Sequence, residues 1–125
     1  MAHYSRLSMI VVDVPPEAHE TAITFWQKAL GVTLAQVGRY PAFHGGALPF
    51  DGYALLVQRQ EDGPPKVHLD IHASDRGAEV ARLEQLGATV VDDSQEWTIM
   101  RDPAGLAFCV VPDKRLDSTN AQSWD

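Results

Sequence analysis

From Lys66 to Asp75 the chain reads K-V-H-L-D-I-H-A-S-D, with Val67, Leu69 and Ile71 alternating with His68, Asp70 and His72. Alternation at period two predicts a strand whose two faces meet different surroundings. One face is apolar, and the other carries two imidazoles and a carboxylate, a row that suggests the wall of a polar cavity. A solvated face of half a sheet would also alternate, so both readings stand on this pattern alone. Pro64 and Pro65 fix where the strand begins, and Ser74-Asp75 read as the cap of a following helix.

The apolar spacing lays out the rest of the chain. Tyr4 to Val14 holds Met9-Ile10-Val11-Val12, apolar on both faces, which predicts a buried strand. Pro15-Pro16 ends it, and Ala18, Ala22, Phe25, Trp26, Ala29 and Leu30 recur at helical spacing. A helix is therefore expected from Pro16 to Leu30, with Gly31 at its stop. The spacing of Trp26 points it into the core. Val32 to Val37 is expected as a short strand, and Gly38 to Gly52 as an irregular segment broken by Gly and Pro. In that segment Tyr40, Phe43, His44 and Phe50 either roof a pocket or cover the edge of the core. Tyr53 to Gln60 resumes as a strand with Ala54, Leu56, Gln58 and Gln60 on one face. Val80, Leu83 and Leu86 predict a second helix over Gly77 to Leu86, closed by Gly87. Ala88 to Val91, Glu96 to Arg101 and Leu106 to Val111 follow as strands, the last two joined by the turn Asp102-Pro103-Ala104-Gly105. Trp97 opens the second of these and shares a face with Ile99 and Arg101. From Pro112 the chain turns polar, and a mobile tail is expected over 113–125 in which only Trp124 is suited to dock.

Both halves thus run strand, helix, then three strands, and ALGVTL at 29–34 matches QLGATV at 85–90, a shift of 56 residues (85 − 29). The reading is an α+β domain over 1–112 built from two βαβββ modules. A chain of 125 residues that is 45% hydrophobic can bury one core, and the lone Cys109 rules out an internal disulfide. There is no apolar run of about 18 residues and no secretory start pattern, so a cytoplasmic protein without a membrane partner is expected. Ten Lys and Arg against 17 Asp and Glu give a net charge of -7, which repels a phosphate backbone and argues against nucleic acid.

This order, with VHLDIHASD, ARLEQLGATVVDD and WTIMRDPAGLAFCVV, resembles the glyoxalase/bleomycin-resistance group of the vicinal oxygen chelate superfamily, in its small glyoxalase-like branch. The resemblance covers residues 5–112, and the DPAG turn before the last strand is its most specific mark. It implies that the two modules stand in a pseudo-two-fold arrangement and form one cupped mixed β-sheet. It also implies a site on the concave face, a divalent metal such as zinc, nickel, manganese or iron, and a homodimer. Four inward places carry the family's ligands. Here they fall on Met9, on Gln58 (or Gln60 in a register shifted by two), on His68 and on Cys109. Of these, His68 alone matches the family's residue type, and Leu106 replaces the Asn usual after the turn glycine.

Two readings of function follow. The first is a small-molecule binding protein of the bleomycin-resistance type, without a full metal ligand set. Its ligand is expected against Met9, Gln58, Asp70, His72, Trp97, Phe43 and His44. The second is a metal-dependent lyase, isomerase or dioxygenase acting on a small oxygenated substrate. In it Gln58, His68 and Cys109 hold the metal, or His68 serves without metal as the catalytic base. Loss of both glutamate ligand places argues against true lactoylglutathione lyase activity. His68 with Asp70, two apart on one face, forms a further pair able to hold a metal. A module without any ligand is the third possibility, opposed by the polar face of the alternating strand. No nucleophile-base motif, phosphate-binding glycine loop or dinucleotide fingerprint is present.

Overall fold

The computed structural model describes residues 2–125. In chain order its elements are β1 (His3–Val14), a 3-10 turn (Pro16–Ala18), α1 (His19–Leu30), β2 (Ala35–Val37), β3 (Tyr40–Ala47), β4 (Ala54–Arg59), β5 (Lys66–Ala73), α2 (Arg76–Gln85), β6 (Thr89–Asp92), β7 (Thr98–Arg101), β8 (Ala107–Pro112) and β9 (Gln122–Trp124). Strand, helix and three strands occur twice, as the sequence repeat requires, and β9 is added at the end. The class is α+β with a mixed sheet, hydrogen-bonded in the order β2-β3-β4-β1-β5-β8-β7-β6, with β9 on β1. By their contacts residues 9–68 form one unit, and residues 1–8 with 69–125 form a second.

In the first unit, β1 runs parallel to β4 from Met9 opposite Ala54 to Val14 opposite Arg59. Helix α1 covers one face of these strands, where Val14, Leu34, Leu55 and Val57 are buried against Ala22, Ile23 and Trp26. Alternation then leaves Met9, Val11 and Asp13 of β1, with Leu56 and Gln58 of β4, on the other face. The first helical turn is 3-10, so α1 proper begins at His19, later than the periodicity suggests. It ends where Gly31 takes the left-handed conformation (φ 66°) and its N–H donates to the Gln27 carbonyl.

Two expectations are corrected here. Residues 32–34 are not strand, because the Gln27 side chain folds back and its Oε1 accepts the Leu34 N–H at 2.9 Å. The segment from Gly38 to Gly52 is largely regular, since β3 occupies Tyr40–Ala47 and pairs antiparallel with β4. Its glycines mark close backbone approach and not a break in the strand. A Cβ on Gly46 would run into the Thr33 carbonyl oxygen, a clash no side chain tolerates.

In the second unit, Asp75 caps α2 by accepting the Ala78 N–H at 3.0 Å. Val80 and Leu83 of α2 then close over Ala73, Met100 and Val110, all three fully buried. Burying a side chain such as Met100 or Val110 contributes roughly 1.5–3 kcal/mol. The polar stretch after Pro112 is ordered: β9 pairs antiparallel with β1, His3 opposite Trp124 and Ser5 opposite Gln122. Leu116 is buried, and the Trp124 indole N–H donates to Ser5 Oγ at 2.9 Å. Trp124 docks as its composition allowed, and the segment around it folds along with it.

Candidate functional site

The site is built on β5, and the exposure of its faces is the reverse of what alternation suggests. Asp70 and His72 are each 6% exposed, whereas Leu69 is 37% and Val67 55% exposed. The two imidazoles persist inside because each meets a carboxylate.

His68 Nδ1 and Asp13 Oδ2 are 2.5 Å apart, both side chains nearly buried. A carboxylate accepts only, which places the proton on Nδ1 and makes Nε2 the acceptor or ligand atom. Asp13 comes from β1, where it stands opposite Gln58 in the β1–β4 register. His72 Nδ1 likewise donates to Asp113 Oδ2 at 2.9 Å. Asp113 is held in turn by Arg115, whose Nε, Nη2 and backbone N–H each reach its carboxylate at 3.0 Å. The Arg115 guanidinium outweighs the effect of burial and keeps the Asp113 carboxyl well below the usual carboxylate range, with the His72 hydrogen bond adding to it. The ionised carboxylate fixes the His72 tautomer, and His72 Nε2 has no hydrogen-bond partner among the described residues.

Strand β5 also runs parallel to β8 with Asp70 opposite Cys109, so these two side chains share a face. One ligand atom each from His68, Asp70 and Cys109 lies within 4.8 Å of the others. Imidazole, carboxylate and thiolate are donors that a borderline divalent cation accepts together, zinc most readily. Gln58, the ligand place that the resemblance marks on β4, stands opposite Asp13 in the β1–β4 register.

The remaining candidates are dispersed. Met9 is half-buried at the start of the β1–β4 pairing. Phe43 stands opposite Gln58 and stacks on Tyr40, ring centroids 5.3 Å apart. His44, next along β3, is turned to the α1 side, where its ring meets His19 edge-on at 5.2 Å. It therefore faces away from Phe43 and Gln58. Trp97 is half-buried just before β7. Asp13 and Asp113 escaped the sequence reading. The signal for Asp13 was present, a lone acid in an apolar strand and in phase with Met9, whereas nothing local marks Asp113.

A family model described as the glyoxalase-like domain matches residues 9–111. The chain belongs to the glyoxalase-like domain family. Solved structures with the same fold accompany this match. Methylmalonyl-CoA epimerase from Mycobacterium tuberculosis superposes with a TM-score of 0.62 at 17% identity, over 87% of this chain and 89% of that one. A Streptomyces coelicolor methylmalonyl-CoA epimerase variant, in complex with 2-nitronate-propionyl-CoA, gives 0.61 at 16% identity, over 88% and 98%. A hypothetical protein from Bacillus halodurans C-125 gives 0.65 at 11% identity, over 91% and 98%. At such identities the likeness carries the glyoxalase-like fold alone. No curated protein matches the sequence. No helix among the described residues is long and apolar enough to cross a membrane.

Proposed function

We propose that this glyoxalase-like domain binds a small oxygen-bearing molecule at the polar face of β5, with a divalent cation held by His68, Asp70 and Cys109. The observation that carries this reading is the convergence of three unlike ligand atoms within 4.8 Å. The Asp13 carboxylate on His68 supports it, since ligating histidines are commonly oriented by such a bond. A bound cation would polarise an oxygen of the ligand and stabilise negative charge there.

The protein's own part is to seat the ligand. His72 keeps Nδ1 on Asp113, and its buried Nε2 lies on the same face as Asp70. Simple binding of such a molecule is the first form of this reading, and a metal-dependent lyase, isomerase or dioxygenase is its alternative. One neighbouring epimerase is in complex with 2-nitronate-propionyl-CoA. The net charge of -7 argues for a ligand here without phosphate groups. A homodimer and a cytoplasmic location belong to the same proposal, on the strength of the superfamily resemblance.

The test is metal content after incubation with zinc, nickel, manganese or ferrous iron and exhaustive dialysis. About one ion per chain is expected, lost in His68→Ala and in Cys109→Ala. No retained metal, or retention unchanged by both substitutions, would overturn the cation site and leave a metal-free binding protein as the reading.

A further inference from the structure

The second unit contains a cavity of about 470 Å³ that the site above does not use. Leu7, Leu69, Ile71, Leu106, Phe108 and Trp124 form its apolar lining. Leu69 and Ile71 alternate with Asp70 on β5, and Phe108 precedes Cys109 on β8, so the cavity opens on the opposite side of the sheet from Asp70 and Cys109. Its volume lies in the range of small-molecule pockets, roughly 300–1,000 Å³.

The charged groups in its wall already have partners. Glu79, fully buried, receives Arg82 Nε and Nη2, both at 2.9 Å, and stands 2.8 Å from His3 Nε2. Burial pushes the Glu79 carboxyl up, but hydrogen bonds from Arg82, His3 and Ser5 outweigh it and hold the group below its ordinary value. The Arg82 guanidinium also lies 3.8 Å from the Trp124 ring centroid. Asp102 is occupied by the N–H groups of Ala104 and Leu106, and Arg6 donates to the carbonyls of Leu7 and Asn120. An ionic ligand would enter this wall without a counter-charge to meet it and would lose its own hydration. A neutral apolar ligand loses nothing comparable, and two aromatic rings are there to contact it.

From this we infer that the cavity beside α2 is a second ligand site, which takes a neutral aromatic molecule and is independent of the cation-bearing face. Leu69 is 37% and Leu106 54% exposed, as expected of residues at an open mouth. Strand β9, held to β1 by three residue pairs and contributing Gln122 and Trp124 to the lining, forms one side of the opening.

The full chain should be titrated with the neutral fluorophore N-phenyl-1-naphthylamine. Saturable enhancement at one probe per chain is expected, with affinity at least tenfold weaker in Leu106→Asp, which charges the mouth, and in Leu69→Trp, which fills the cavity. Cys109→Ser, on the opposite face, should leave probe binding unchanged, and Leu106→Asp should still bind metal like the parent chain. That separates failure of this site from failure of the cation site. Absence of saturable binding, or affinity unchanged in both leucine variants, would overturn the inference. So would sedimentation velocity showing a dimer that Leu106→Asp dissociates and whose formation excludes the probe, since the surface would then serve self-association.

Discussion

Asp13 Oδ2 lies 2.5 Å from His68 Nδ1, joining two residues 55 apart in the chain at the centre of the polar face. The carboxylate fixes the imidazole tautomer and the orientation of its ring. Asp13→Asn keeps the size and removes the charge, so affinity for zinc should fall about 10–100-fold. Competition with a chromophoric chelator at neutral pH measures it, and unchanged affinity would mean that Asp13 only fills space.

Asp113 ties His72 to Arg115 and should make stability depend on acid. Its carboxyl titrates below its unfolded value of about 4. The contribution is therefore complete above that pH and disappears as pH falls toward the lower folded value. Asp113→Asn should cost about 1–3 kcal/mol at pH 7, chiefly because a neutral amide with one acceptor oxygen cannot serve both His72 and Arg115. In urea melts the gap between parent and variant should narrow at pH 3. A constant gap would show that the loss is not electrostatic.

His19 behaves as a buried base. Burial lowers its pKa below the ordinary 6.5, with His44 and Arg59 adding repulsion against backbone hydrogen bonds that oppose them. A proton is thus bound more weakly in the folded chain, so stability is full above about pH 6.5 and declines as the medium becomes more acidic. Thermal melts between pH 7.5 and about 5 should show this decline, flattened in His19→Gln. Equal slopes in both proteins would assign the titration elsewhere.

Gly46 is required for contact and not for torsional freedom. Gly46→Ala would drive its Cβ into the Thr33 carbonyl oxygen, and separating β3 from the 32–34 segment should cost at least ~2 kcal/mol. Urea denaturation gives the figure. A loss within experimental error would mean that the 32–34 segment yields easily.

Periodicity was enough for both helices, most strands and the repeat, because Val80 and Leu83, or Val12 and Val14, must reach one core whatever else the chain does. It failed at β3, where the glycine pair of a strand packed against another backbone looks in one dimension like that of a turn. It misjudged residues 113–125 because their order comes from pairing with β1 more than a hundred positions away. Alternation put His68 and Asp70 on one face, and the family resemblance marked His68 and Cys109 beside Met9 and Gln58. Asp113 left no mark, since a hydrogen-bond partner is chosen by the folded arrangement and has no local period, and Asp13 showed only as a lone acid in phase with Met9.

The division of the chain into residues 9–68 and a unit made of 1–8 with 69–125 also orders events during synthesis. Everything the first unit needs emerges as one block, so it can close while translation continues. The opening segment waits: its partner β9 emerges more than a hundred residues after it, roughly several seconds later at ordinary elongation rates. The apolar cavity beside α2 can therefore be completed only when β9 arrives. Nascent chains stalled before residue 122 should expose that greasy surface to chaperones, and released chains should hide it.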